Sequence, residues 1–297
     1  MGGDQPKHGV LVAVDGSETA QAAVEWAAHE ALLRNTPLTL AYVIEPVVVS
    51  WPVRSFQGEF NAWQESNARE ALEKAEQTAR SVAGADWSAL RTAILRGYVV
   101  QELVTASRAA ALLVVGSRGL GAVGRAVLGS VSSGALRHAH CPVAVVRPDT
   151  VADLDRSAPV LLGIDGSPAS EGATRLAFEE AALRKVDLVA LHAWSDVAVL
   201  PAVADDWDAL QAEGRAVLDT QLAPHRERHP EVTVHTRIVC DRPSRWLIDE
   251  SRNAQLVVVG SRGRGGFAGL LLGSVASAVA QSADAPVIVV RERAAKS

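Results

Sequence analysis

The apolar positions along the chain follow two rhythms. Short runs such as "GVLVAVD" from Gly9 and "LLVVG" from Leu112 are apolar at almost every position and rich in β-branched residues. Runs of this kind predict strands buried on both faces, as in a parallel sheet. Between them the spacing becomes helical. In "ETAQAAVEWAAHEALLR" from Glu18, one face can hold Ala20, Ala23, Val24, Ala27, Ala31 and either Ala28 or Leu32. Ser167 before Pro168 predicts a helix N-cap with proline in the first turn. Strands and helices alternate as β-α-β-α-β-α-β-α-β, which implies an open parallel sheet with right-handed crossovers.

This alternation occurs twice. "VLVAVDGSETA" begins at Val10 and "VLLGIDGSPAS" at Val160, and the two copies align without a gap from Val10 to Val43. Farther on, "ALLVVGSRG" (Ala111 to Gly119) matches "QLVVVGSRG" (Gln255 to Gly263), and "CPVAVVRP" echoes "APVIVVRE". A whole domain is used twice, not a short solenoid repeat. The join, Arg147 to Pro159, is polar and ends in proline, as a linker should. The expected domains are 1–150 and 151–297. The least regular stretch, Glu45 to Gln64 with Trp51 and Pro52, and its shorter counterpart Ser195 to Asp206 predict variable surface loops.

Composition narrows the function classes. Of 297 residues, 48% are hydrophobic and 21% charged, so there is ample material for two cores. Aromatics are only 4%, which leaves Ala, Val and Leu to fill those cores. A net charge of −5 gives no support to nucleic-acid binding or to an anionic-membrane anchor. No apolar run is long enough to span a bilayer, and "MGGDQPKHGV" carries neither a signal core nor, with Pro6, a myristoylation pattern. Two cysteines, Cys141 and Cys240, make no disulfide framework. A soluble cytoplasmic protein is expected.

The candidate chemistry lies in "GSRGLGAVGRAVLGS" from Gly116 and its copy "GSRGRGGFAGLLLGS" from Gly260. Gly119, Gly121 and Gly124 spell a dinucleotide fingerprint, but that motif belongs after the first strand, and the copy has Ala268 at the third position. A Walker loop would need Lys before its final Ser, and neither copy has one. Both copies keep Gly-x2-Gly-x9-Gly-Ser: Gly116, Gly119, Gly129 and Ser130, then Gly260, Gly263, Gly273 and Ser274. The first pair ends a strand and the last Gly-Ser opens a helix, whose free N–H groups suit an anion. Ser130 and Ser132 are candidate hydroxyl donors.

With this element in both halves, the chain resembles the tandem form of the universal stress protein family. The resemblance covers nearly the whole length. It implies two Rossmann-like α/β domains, each an open parallel five-stranded sheet flanked by helices, in the order 3-2-1-4-5. It also implies one ATP site per domain, at the crevice between the first and fourth strands. Carried over by position, the nucleoside contact is Asp15 or Asp165, and the adenine wall is Val43 or Ala193. The phosphate loop is Gly116, Arg118, Gly119, Gly129, Ser130, Val131 and Ser132. In the second domain it is Gly260, Arg262, Gly263, Gly273 and Ser274. The second copy departs from the family at Ala276, where a hydroxyl residue is usual.

Plainer roles stand beside these. Asp15 and Asp165 each precede Gly-Ser and suit turns or helix caps. Arg118 and Arg262 suit a solvated surface. His138, His140 and Cys141 are close in sequence, but the second copy has no such set, so a structural histidine and a buried cysteine are expected. Trp51, Trp63 and Trp207 are read as buried against their domains, with covering a nucleotide or a partner as the alternative. The resemblance implies an ATP-binding regulator in stress or growth control, with Mg a candidate companion of the nucleotide. The alternative is a slow ATP hydrolase or a nucleotide-dependent transferase, and at most weak ATPase activity is expected. Pairing of the two halves through "VAVVR" and "VIVVR", a homodimer and an unidentified protein partner complete the expectation.

Overall fold

Each short apolar run forms a strand. The computed structural model describes residues 7–46, 57–119, 128–152, 154–167, 170–193, 207–263 and 271–291. Gly121, Gly124, Ala268, Trp51 and Pro52 lie outside the described residues, as does the segment 195–206. The chain divides into two units, Met1–Pro148 and Asp149–Ser297.

The first unit runs β1 (Gly9–Val14), α1 (Glu18–Leu33), β2 (Leu38–Ile44), α2 (Gln57–Ala83), β3 (Leu90–Arg96), α3 (Val99–Ala106), β4 (Ala110–Gly116), α4 (Ser130–His138) and β5 (Val143–Val146). Its strands lie in the order β3-β2-β1-β4-β5, and every pairing is parallel. Val10 pairs with Leu38 on one side and with Leu112 on the other. The second unit repeats the plan: β6 (Val160–Ile164), α5 (Glu171–Arg184), β7 (Leu188–Ala193), α6 (Trp207–Arg228), β8 (Val234–Val239), α7 (Pro243–Glu250), β9 (Leu256–Gly260), α8 (Ser274–Ser282) and β10 (Val287–Val290). Its order is β8-β7-β6-β9-β10, again all parallel.

Burial follows position in the sheet. Val10, Val12, Leu113 and Val114 on the inner strands are wholly buried, whereas the edge strand β3 exposes Arg91, Thr92, Ile94 and Arg96. Helices cover both faces, so the inner strands are mostly apolar on both sides. Ala20, Ala23, Val24, Ala27, Ala28 and Ala31 of α1 are all buried. Their small side chains let the helix lie close on the sheet.

Three expectations are settled here. Of the two candidates for the last place on the α1 face, Ala28 is buried and Leu32 is 41% exposed, and the helix also buries Trp26 and Glu30. Glu30 is tolerated because Arg34, one turn on, pairs with it at 2.5 Å. α5 carries the same buried pair, Glu180 with Arg184. Second, Ser167 does not cap α5. Its hydroxyl donates to Asp165 Oδ1, and Ser170 stands at the cap position. In α1 the matching Ser17 does cap, accepting from the Ala20 N–H at 3.1 Å. Third, Cys141 is buried, but His138 and His140 are both exposed.

Candidate functional site

In each unit the chain leaves the two central strands in opposite directions, opening a crevice at their carboxyl ends. Asp15 follows β1 on one side of that crevice. Its Oδ1 accepts the Ser17 N–H at 3.0 Å, closing a turn in which Gly16 has φ +85°. That turn requires the left-handed region, where glycine has no Cβ penalty. Asp15 Oδ2 points the other way, at Gly119. A Cβ on Gly119 would sit 2.6 Å from that oxygen, so a side chain there would force the carboxylate to move. Gly116 is as closely packed: its Cβ would meet the Thr19 methyl at 2.7 Å.

The far wall is the start of α4. Gly129 occupies the cap position with extended backbone, and no side chain caps the helix. Its own N–H donates to Ser117 O at 2.8 Å, which folds the loop back onto the end of β4. The Ser130, Val131 and Ser132 N–H groups belong to the first turn, where a helix offers donors and the positive end of its dipole. Ser132 is 1% exposed, and its hydroxyl lies 3.0 Å from both Ser117 O and Gly129 O. That hydroxyl fastens the loop to the helix.

These walls enclose a cleft of about 650 Å³. Asp15, Val43, Gly116, Arg118, Gly119, Gly129, Ser130, Val131 and Ser132 all line it. Other lining residues were not anticipated: Tyr42 from β2, Gln64 and Asn67 from α2, and Val99 and Leu103 from α3. Trp63 lines the cleft too, and at 57% exposure it is not buried against its domain. The available signal was a tryptophan off the apolar stripe of its helix. Burial first, and the Asp15 charge second, push the Tyr42 hydroxyl above its ordinary pKa, so it stays a protonated donor.

The family model for the universal stress protein family matches residues 8–147 and again 157–291. The chain belongs to the universal stress protein family. It is 50% identical over 288 residues to a universal stress protein of Mycolicibacterium smegmatis, covering 97% of this chain and 98% of that one. It is 46% identical over 286 residues to one from Mycobacterium tuberculosis, covering 96% of each. Among solved structures, a universal stress protein of Archaeoglobus fulgidus superposes with a TM-score of 0.70 at 21% identity, over 97% of this chain and 100% of that one. The last likeness concerns the fold alone.

The second universal stress protein domain repeats the crevice with changes. Asp165 Oδ1 accepts from the Ser167 N–H at 3.0 Å, and its Oδ2 faces Gly263. Gly260 and Ala193 end β9 and β7, and Gly273 stands uncapped before Ser274 at the start of α8. The Gly273 N–H donates to Ser261 O at 2.7 Å, as in the first domain. Ala276, 2% exposed, replaces Ser132 and removes the hydroxyl fastening. Tyr42 is replaced by His192, which is buried with its Nδ1 2.9 Å from Ile164 O. Two arginines stand at this end of the sheet. Ser261 N–H donates to Val290 O at 2.7 Å, which brings Arg262 beside Arg291. Burial, then the like charge of Arg262, lowers the pKa of Arg291.

Proposed function

We propose that the protein is an ATP-binding regulator with one nucleotide site in each domain. One observation carries the reading: a cleft of nucleotide size has a carboxylate on one wall and an uncapped helix start flanked by glycines on the other. In this reading the triphosphate lies on the N–H groups of Ser130, Val131 and Ser132, where Gly119 and Gly129 permit close approach. Arg118 adds positive charge. Asp15 accepts a ribose hydroxyl through the oxygen that its turn leaves over, and Val43 lines the base. A Mg ion would enter with the phosphates it neutralises, and Ser130 is the hydroxyl beside them.

Regulation follows if ATP binds one conformation of the protein more tightly than another. The test starts from protein purified without added nucleotide. Denaturation should release adenine nucleotide, mostly ATP, and calorimetric titration of emptied protein should show two sites per chain. A supernatant dominated by ADP, with steady phosphate release from added ATP, would favour the hydrolase. Protein that carries no nucleotide and takes none up would end the proposal.

A further inference from the structure

We infer that Trp63 is a stacking platform for the base of the ligand, so that the first domain selects aromatic nucleotides over bare polyphosphates. The inference rests on the nucleotide reading above and adds a specificity residue to it. Tryptophan carries the largest apolar ring among the side chains, so its exposure leaves a large face available for stacking. Trp63 is 57% exposed, yet it lines the same cleft as the phosphate loop. It does not belong to the stripe by which α2 packs on the sheet. That stripe is Ala68, Leu72, Ala75 and Ala79, all buried.

The ring is held in place. Phe60, one turn earlier, backs it with ring centroids 5.6 Å apart. The Gln64 amide donates to Glu45 O at 3.1 Å, tying this turn of α2 to the exit of β2. Glu65 pairs with Arg96 of β3 at 2.8 Å. A preset aromatic face costs little entropy on binding, and a purine would cover the apolar surface that water now wets. Bases stack on such a face whatever their hydrogen-bonding edges, so the device distinguishes base from no base.

The test compares ATP with inorganic tripolyphosphate by calorimetry on full-length wild type, Trp63→Ala and Trp63→Phe. Trp63→Ala should weaken ATP about tenfold at one of the two sites. Tripolyphosphate affinity should not change, and Trp63→Phe should stay near wild type. Tryptophan emission should also be quenched by ATP in the wild type, and less so in Trp63→Phe. ATP binding unchanged in Trp63→Ala would overturn the inference and leave the ring as a surface for a protein partner. Equal loss of both ligands would also overturn it, by assigning Trp63 to cleft architecture. A wild type that binds neither compound defeats the nucleotide reading itself, and with it this inference.

Discussion

Asp15 turns its two carboxylate oxygens in different directions. Oδ1 holds the turn by accepting from Ser17, and Oδ2 faces Gly119 across the crevice. The turn occupies one oxygen only, so forming it does not rule out the ligand contact proposed above. Substitution separates the two. Asp15→Asn keeps an acceptor for the turn but loses the charge. It should weaken ATP in the first domain about tenfold, the worth of a charge-assisted hydrogen bond. Its thermal midpoint should match wild type. Asp15→Ala removes the turn acceptor as well and should lose about 1 kcal/mol of stability by urea denaturation. If Asp15→Asn binds ATP like the wild type, the carboxylate does not touch the ligand.

At the scale of elements, the two copies settle the same local problems by different means. Ser17 caps α1, whereas Ser167 turns its hydroxyl to Asp165. Ser132 fastens the first glycine loop to α4, whereas Ala276 has no hydroxyl to do so in the second, where the Gly273 N–H donates to Ser261 O. The α5–α6 contact adds a buried histidine. His225 is stacked on Phe178 at 5.4 Å and lies 3.1 Å from a Glu171 oxygen. Burial lowers its pKa more than Glu171 raises it, with Arg228 and His229 lowering it further. The sign follows from linkage. Below the ordinary value near 6.5 the unfolded chain binds a proton that the folded chain resists, so stability falls as pH falls. His8 in the first unit is shifted the same way, chiefly by burial. Urea midpoints measured from pH 8 to about 5.5 should therefore decline, and decline less in His225→Phe. An equal decline in both would show that His225 does not contribute.

At the scale of the molecule, each unit contains a complete sheet and its own crevice, so two binding sites should be separately removable. A side chain at Gly119 or Gly263 would collide with the Asp15 or Asp165 carboxylate. Gly119→Val and Gly263→Val should each reduce calorimetric stoichiometry from two ATP per chain to one, and the double variant should bind none. If either single variant abolishes both sites, the domains do not bind independently. Among the described residues, no helix is long and apolar enough to cross a membrane. The sequence by itself determined the strands, the helices, the duplication and the glycine positions, because each is written in local periodicity or in direct repetition. It also implied, through family resemblance, the strand order that the structure has. Only the tertiary structure decided which groups share a cleft. Tyr42, Asn67 and Leu103 come from three separate elements that converge at the carboxyl end of the sheet, and no local pattern encodes that convergence. Exposure was equally hidden. Leu32 and Trp63 are apolar residues on helices, and their periodicity could not say whether a neighbour would cover them. Covering depends on what packs across the gap, and long-range contacts settle that after the elements have formed.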